Sequence, residues 1–534
     1  MPFTFFCAFG AKGRRGKGII PPARTSCARE PGHLGVMADF DITIIGGGIN
    51  GAGIARDAAG RGLRVLLVEQ NDLASGTSSA STKLIHGGLR YLERAAFGLV
   101  RKALVEREVL LQIAPHLIRP MRFVLPVNPA LRSERLLKLG LFIYDHLGGR
   151  KILPPTRTFD LANDPAGQAL RPDFRTAFEY SDCWVDDARL VVLSVLDAAE
   201  HGATIRTRMS LRNVERGDIW RFTLDDGSRR AAMSARILVN AAGPWVGQVA
   251  EHLLQSPGRP PLRLIKGSHI MVKKLFEHDR GYILQNTDRR IVFALPFERD
   301  FTLIGTTDAE FSGEPAGATP GADEIDYLCR AANQYFRAQI GSKQVLGFFA
   351  GVRALYDDGS GKPEDVTRDY HLTLDEHARA APLLTVYGGK ITTYRRLAEA
   401  ALDRLGHFLR DTPHWTAHAA LPGGDFAHDG VDIMVAQARL RWPFLSENTA
   451  RRLVRAYGTR IERVLGSAKN TEQLGPRFGA DLTAAEVRYL MQYEWAQSAD
   501  DVLWRRSKLG LRLSKAERDA LGAFMSGESV RAAS

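Results

Sequence analysis

The 534-residue sequence predicts an α/β fold, α+β overall, made of three parts. Residues 39–69 have the pattern of a strand, a glycine-rich turn, a helix and a second strand, which is typical of a parallel α/β layer. Residues 260–355 are rich in strand patterns and predict an antiparallel sheet. Residues 430–525 are helical in pattern almost throughout and predict a C-terminal helical domain. A chain of this length exceeds one hydrophobic core, so two or three domains are expected.

The first strand runs into a turn that is suited to binding phosphate. Gly46, Gly48 and Gly51 fit the pattern G-x-G-x-x-G, with Asn50 inside it. The first glycine allows a tight turn, the second lets the backbone approach a pyrophosphate, and the third lets helix and strand pack closely. The N–H groups at the start of the helix then favour an anion. Glu69 ends the second strand, where an acid accepts hydrogen bonds from an adenosine ribose. We therefore predict a Rossmann-like dinucleotide-binding domain, with a plain glycine turn as the alternative.

Three later segments are predicted to contact the same cofactor. They supply Thr77, Ser78, Ser79 and Thr82 in a hydroxyl-rich loop, Ala242 and Gly243 after a buried strand, and Gly389 and Thr392 in a second glycine turn. For the hydroxyl-rich loop, a solvated linker is the alternative. Cofactor segments spread through the chain in this way favour an extended dinucleotide, FAD, over a nicotinamide cofactor. The second glycine turn could present N–H groups to the pyrimidine edge of the flavin.

The predicted boundaries follow from these patterns. Residues 1–36 form an extension that is either disordered or not translated, with translation then starting at Met37. The remaining divisions are an FAD-binding domain at 37–405, interleaved with substrate-binding segments at about 100–178 and 246–350, a linker at 406–424, and the helical domain at 425–534.

Composition narrows the classes of protein. The formal net charge is +12, of which +5 belongs to residues 1–36 and +7 to the rest. This charge suits an anionic substrate or an anionic membrane surface as well as nucleic acid. Four cysteines without paired spacing argue against a disulfide framework or a zinc site, so no metal is expected and a reducing cytoplasm is the simplest setting. The sequence lacks a run of about 18 apolar residues, so a transmembrane helix is not expected.

Six motifs together resemble one protein family. They are GGGINGAG at 46–53, TSSASTKLIHGGLRYLE at 77–93, FEYSDCWVDDARL at 178–190, LIKGSHI at 264–270, LIGTTD at 303–308 and GGKITTYRRLAE at 388–399. In this order they resemble the FAD-dependent, respiratory (aerobic) glycerol-3-phosphate dehydrogenases over roughly residues 40–525. The resemblance implies oxidation of sn-glycerol 3-phosphate to dihydroxyacetone phosphate by hydride transfer to FAD, with the electrons passed to membrane quinone. Bacterial members of the family lack the extension, and no role is transferred to it.

The implied reaction needs a phosphate clamp and a base. The residues at matching positions are Arg90, Arg353 and Lys390 for phosphate and substrate charge, and Tyr91 at the pocket wall. Arginine is suited to bidentate contact with phosphate, and Arg353 is also a catalytic candidate. His86 and His269 compete for the role of the base that takes the C2 hydroxyl proton. A hydrogen-bonded structural histidine is the alternative for each, and the sequence does not choose between them.

Membrane contact is expected to be peripheral. Residues 131–147 have a basic amphipathic pattern, which is compatible with lying on an anionic membrane surface; an ordinary packing helix is the alternative. Because quinone lies in the bilayer, we expect a cytoplasmic protein on the inner face of the cell membrane, and a homodimer is left open. The competing functions are an amino-acid or 2-hydroxy-acid oxidase of the same flavoprotein fold and a flavin-bearing RNA-binding protein. The latter rests on the isoelectric point near 9.6, but the chain lacks an aromatic-and-basic RNA motif, so no nucleic acid partner is expected.

Overall fold

The structure, a computed structural model, describes residues 37–128, 131–255, 262–288, 290–357, 369–377, 380–410 and 412–533. The predicted extension at 1–36 lies outside the described residues. The strands are β1 Phe40–Ile45, β2 Val65–Glu69, β3 Leu84–Ile85, β4 Ile118–Pro126, β5 Arg157–Asp160, β6 Thr176–Val185, β7 Thr204–Thr207, β8 Ser210–Arg216, β9 Trp220–Asp225, β10 Arg230–Asn240, β11 Leu262–Lys273, β12 Gly281–Gln285, β13 Ile291–Phe297, β14 Phe301–Gly305, β15 Ala309–Glu310, β16 Gly347–Tyr356, β17 His371–His377 and β18 Ala380–Tyr387. The α-helices are α1 Ile49–Gly60, α2 Phe97–Ile113, α3 Glu134–Leu147, α4 Pro165–Gln168, α5 Asp187–Glu200, α6 Val246–Gln248, α7 Ala322–Asn333, α8 Tyr394–Arg404, α9 Val431–Arg441, α10 Glu447–Tyr457, α11 Ile461–Leu465, α12 Ala484–Tyr493 and α13 Lys515–Ala533.

The first sheet joins distant parts of the chain. Its strand order is β17-β18-β10-β1-β2-β7, with β9 and β8 attached beyond β10. The strands from β18 to β7 run parallel, and Ile44 of β1 pairs with Val239 of β10 on one side and Leu67 of β2 on the other. Helix α1 packs against α5 and α8. The chain therefore returns to this sheet near residues 237–240 and again near residues 383–386.

The second sheet has ten strands among the described residues and is mostly antiparallel. Its order is β15-β11-β14-β13-β12-β4-β6-β3, with β16 paired to β11 and β5 to β6. His269 on β11 lies opposite Gly305 on β14, which in turn lies opposite Phe293 on β13. One face of this sheet therefore places side chains from β16, β11 and β13 side by side. The predicted fold class, with this sheet beside the FAD-type layer, is confirmed.

Helix α3 is amphipathic. It begins at Glu134 because the Ser133 side chain accepts a hydrogen bond from the Leu136 N–H and so caps its first turn. Its buried residues are Leu137, Leu141 and Tyr144, whereas Leu136, Leu139 and Phe142 point to solvent. No helix among the described residues is long and apolar enough to cross a membrane.

The C-terminal helical region, residues 430–533, has an apolar core of its own. Val435, Leu453, Val487 and Leu503 are buried together in it. The region is joined to the sheets through buried ion pairs, such as that between Arg189 of α5 and Glu494.

Candidate active site

A cavity of about 470 Å³ lies between the hydroxyl-rich loop, the second glycine turn and the face of the second sheet. Most of the predicted site residues line it, namely Thr77, Ser78, Thr82, His86, Arg90, Tyr91, His269, Arg353, Gly389, Lys390 and Thr392. These residues come from segments up to about 315 positions apart, so the fold brings them together as the motifs predict. The remaining candidates lie at the first glycine turn and next to it.

The first glycine turn has the form that a dinucleotide requires. A Cβ at Gly51 would lie 2.0 Å from the carbonyl oxygen of Gly46, so only glycine allows α1 to start so close to β1. The Gly47 N–H donates to the Glu69 carboxylate at 2.7 Å, and the Ile49 N–H donates to the Ser78 hydroxyl at 3.0 Å. The acid and the hydroxyl-rich loop therefore meet at the start of α1. Burial raises the pKa of Glu69, although two backbone N–H groups donate to its carboxylate.

Asn50 connects the two glycine turns. Its side-chain amide donates to the carbonyl of Gly388 at 3.1 Å. The turn after β10 joins them, because the Ala241 N–H donates to the Ile45 carbonyl at 2.9 Å and is followed by Ala242 and Gly243. The first glycine turn, the hydroxyl-rich loop, the turn after β10 and the second glycine turn are thus bonded to one another at the edge of the first sheet. Four contacting segments of this kind fit an extended FAD. Ser79 is directed elsewhere: its hydroxyl donates to Gly76 within its own loop.

A group of cations lies at one wall of the cavity. Arg353 is paired with Asp308 at 2.7 Å, and Arg90 approaches the other oxygen of the same carboxylate at 3.7 Å. Arg353 also contacts the Thr306 hydroxyl at 3.4 Å. Lys390 lies 4.0 Å from the ring centroid of Tyr91. The structure therefore places all four predicted substrate residues together and adds Asp308.

Both candidate histidines line the cavity; His269 is buried and His86 is half-buried. His269 Nε2 is 2.9 Å from the Thr82 hydroxyl, and its ring stacks on Phe349 at 4.8 Å. A Cβ at position 305 would lie 2.1 Å from the His269 ring, so this packing needs Gly305. Burial, together with the charges of Lys83 and Arg353, lowers the pKa of His269 to about 3.

His86 lines the same cavity. Its ring meets Phe293 edge-on, with 6.2 Å between ring centroids. Burial, with the charges of Lys390, Arg107 and Arg353, lowers the pKa of His86 to about 4. Near neutral pH both imidazoles are therefore uncharged and able to accept a proton.

A buried network behind His86 was not predicted. The Gly87 N–H donates to the Tyr144 hydroxyl at 2.7 Å, and that hydroxyl donates to the Asp182 carboxylate at 2.9 Å. Arg107 donates to the same carboxylate at 2.7 Å. Asp182 and Asp308 both lie inside motifs that carried the family resemblance. Their charge, at a motif position with no assigned role, could have marked these two aspartates as functional from the sequence. Arg107 and Tyr144 lie outside the motifs, so the sequence did not mark them.

Comparison with known proteins identifies the family. A model of the FAD dependent oxidoreductases matches residues 41–418, and a model of the C-terminal domain of alpha-glycerophosphate oxidase matches residues 414–526. The chain is 50% identical to the glycerol-3-phosphate dehydrogenase of Pseudomonas aeruginosa, over 92% of this chain and 95% of that protein. It is 45% identical to the aerobic glycerol-3-phosphate dehydrogenase of Escherichia coli, over 92% and 98%. The chain belongs to the FAD-dependent glycerol-3-phosphate dehydrogenase family.

The chain is also similar to a dehydrogenase named for another substrate and to a solved structure. It is 51% identical to the D-erythritol 1-phosphate dehydrogenase of Brucella abortus, over 90% of this chain and 96% of that protein. The glycerol-3-phosphate dehydrogenase of Bacillus halodurans, solved with FAD, matches with a TM-score of 0.68 and 26% identity, over 88% of this chain and 86% of that one. The predicted cofactor, FAD, and the prediction of a flavoprotein oxidoreductase are confirmed.

Proposed function

We propose that the protein oxidises sn-glycerol 3-phosphate to dihydroxyacetone phosphate and passes the electrons to membrane quinone. The observation that carries this proposal is the meeting of Arg90, Arg353 and Lys390 with uncharged imidazoles in one cavity. Such a wall suits a substrate that combines a phosphate dianion with a neighbouring alcohol. The names of the Pseudomonas and Escherichia relatives support the same substrate.

Each side chain has a role in this proposal. Arg90 and Lys390 hold the phosphate, with Tyr91 packed against the ammonium group of Lys390. Arg353, aligned by Asp308, holds the substrate oxygens. FAD, when bound, supplies the acceptor for the hydride lost from C2.

We assign the base to His269. A Cβ at Gly267, two residues before His269 on β11, would lie 2.5 Å from an Arg353 guanidinium nitrogen, so His269 is adjacent to the cation group. Its bond to Thr82 fixes the orientation of the ring. His86 then forms a polar part of the cavity wall.

A second candidate substrate is a four-carbon polyol phosphate. The Brucella relative, which is named for D-erythritol 1-phosphate, is about as similar to this chain as the Pseudomonas relative. Besides the proposed phosphate-binding residues, the cavity is lined by a second polar group. In it Arg132 donates to Gln285 at 2.8 Å and pairs with Glu93 at 2.8 Å. These groups could bind an additional hydroxyl.

Anaerobic addition of substrate to the purified holoenzyme tests these assignments. We expect sn-glycerol 3-phosphate to abolish the flavin absorbance within one turnover, with dihydroxyacetone phosphate identified by mass spectrometry. D-erythritol 1-phosphate, sarcosine and 2-hydroxyglutarate are compared at equal concentration. Faster loss of absorbance with the erythritol phosphate would favour the second candidate. Loss only with sarcosine or 2-hydroxyglutarate would favour the amino-acid or hydroxy-acid oxidase that the sequence left open.

We also propose peripheral binding to the inner face of the cell membrane through α3. Leu136, Leu139 and Phe142 are 58%, 57% and 60% exposed, and Arg135 and Lys138 are exposed on the same helix. An apolar face with flanking cations suits the surface of an anionic bilayer. Both of these leucines, Leu136 and Leu139, also line the cavity, which supports entry of quinone from the bilayer at this helix.

A further inference from the structure

A buried carboxylate next to the first glycine turn is held by arginines from the far end of the chain. Asp72, three residues after Glu69, is 2% exposed. Arg506 donates to its two oxygens at 2.5 and 2.8 Å, and Arg505 pairs with it as well. Asp72 lies within the FAD-dependent oxidoreductase match, and both arginines lie within the match to the C-terminal domain. The pair therefore joins two separately recognised parts of the protein.

The same arginine-bearing segment is attached at a second point. Residues Asp501–Arg506 form one π-helical segment. Asp501 accepts hydrogen bonds from the Arg208 guanidinium at 2.7 and 2.9 Å. The Arg208 N–H donates to the Asn71 carbonyl at 3.0 Å. The segment therefore contacts the loop that follows β2 directly at Asp72, and indirectly at Asn71 through Arg208.

That loop is in turn bonded to the glycine turn. The Asn71 N–H donates to the Glu69 carboxylate at 2.8 Å, and the other carboxylate oxygen accepts from Gly47. The Ala74 N–H donates to the Gly47 carbonyl at 3.0 Å. Arg506 thus holds Asp72, and the adjacent residue Asn71 is bonded to Glu69, whose carboxylate also accepts from Gly47.

We propose that the C-terminal helical region retains the cofactor, with Arg505 and Arg506 as positioning residues for the loop at the adenosine end of FAD. The physical reason is electrostatic. An unpaired buried carboxylate is costly and would move toward water, taking the 70–74 loop with it. Its charge would also oppose that of Glu69, which accepts hydrogen bonds best as an anion. The inference rests on the proposed placement of the adenosine ribose at Glu69.

The release of FAD from the holoenzyme tests this inference. Arg505→Gln leaves Arg506 in place and is the mild variant, whereas Asp72→Asn removes the carboxylate charge; Glu69→Gln serves as the reference for the adenosine site. After dilution, the rise of free-FAD fluorescence gives the rate of release. Asp72→Asn leaves the buried Arg506 guanidinium without its counter-charge, and Arg505→Gln removes one of the two arginines that hold Asp72. We expect both variants to release FAD about three to thirty times faster than the wild type, the size of effect usual for coupling through a packed network. On heating, FAD should leave before the tryptophan signal reports unfolding.

Arg460→Gln is the matched control. Arg460 pairs with Glu200 of α5 at 2.7 Å, so it also joins the C-terminal region to the first part of the chain, but it does not contact the 70–74 loop. In this variant FAD should be released at the wild-type rate after dilution. On heating, release of FAD and unfolding should occur at the same temperature. Equally faster FAD release in Arg460→Gln would overturn the inference. Release at the wild-type rate in both Arg505→Gln and Asp72→Asn would also overturn it, if Glu69→Gln releases FAD faster. Wild-type release in Glu69→Gln would overturn the placement of the ribose, and the inference with it.

Discussion

At the scale of single residues, burial decides what the histidines can do. His269 and His86 each contact a phenylalanine ring and lie near cations, so both remain uncharged well below neutral pH. An uncharged imidazole can take a proton from an alcohol, and the imidazolium that forms would be destabilised by the same cations. The reaction as proposed therefore requires rapid transfer of that proton away from the site.

Substitution by glutamine separates the two histidines. We expect His269→Gln to slow flavin reduction by about 100-fold or more, because a general base contributes about 10²–10⁴ to the rate. His86→Gln should slow it less than about tenfold, since we assign that ring to the wall. Single-turnover reduction by sn-glycerol 3-phosphate measures both. Equal FAD content in the variants is the control. The assignment of a histidine base is wrong if neither change slows reduction by about tenfold.

At the scale of the element, α3 has contacts on both of its faces. Tyr144 on its buried face binds the Gly87 N–H directly beside His86, whereas Leu139 and Phe142 on its outer face are exposed. The same helix thus supports the loop that carries His86 and presents an apolar surface to solvent.

The outer face of α3 can be tested with anionic vesicles. We expect the double variant Lys138→Glu, Phe142→Glu, at two exposed positions that do not line the cavity, to bind such vesicles about tenfold or more weakly, because carboxylates oppose both the apolar and the charge contribution to binding. Flavin reduction by substrate should be unchanged, and quinone reduction in vesicles should fall with binding. Leu440→Glu on α9, which alters a side chain 81% exposed elsewhere, is the matched control. Wild-type co-sedimentation of the double variant would exclude α3 as the contact.

At the scale of the whole molecule, His116 lies where three parts of the chain meet. A Cβ at Gly423 or Gly424 would lie 3.5 or 3.3 Å from its ring. Arg189 of α5 and Arg455 of α10 are close enough to affect its charge, and its ring faces Phe426 at 6.3 Å between centroids. Burial and these arginines lower the pKa of His116 to about 3.

This histidine should make the stability of the protein sensitive to acid. In the unfolded chain its pKa is about 6.5, so between that value and about 3 the unfolded state binds the extra proton. The contribution is complete above pH 6.5 and decreases as the pH falls. At pH 5 the loss is roughly 2 kcal/mol. We expect His116→Phe to lose less stability than the wild type between pH 7.5 and 5, measured by urea unfolding. Parallel pH dependence in the two proteins would contradict the assignment.

The parts of this structure that could be predicted are those with local patterns. The glycine turn, the parallel strands around β1 and the basic amphipathic α3 each follow from a few adjacent residues. The motifs also predicted the cavity residues, because each motif keeps several of them in one segment. The unpredicted contacts pair single residues across long separations, such as Asp182 with Tyr144 and Asp72 with Arg506, 434 positions apart. Each of these residues alone looks like an ordinary charged or aromatic side chain, so only the folded chain reveals the pairing.

The bond from Asn50 to Gly388 also sets an order of events during synthesis. It spans 338 residues, so the first glycine turn takes its final form only after residue 388 has left the ribosome. At about 5–20 residues per second, roughly 20–70 s pass between the appearance of the two turns. During that time β1 lacks its neighbour β10 and then β10 lacks β18, which leaves apolar strand edges unpaired. The cofactor site described above is therefore complete only when nearly the whole chain has been synthesised.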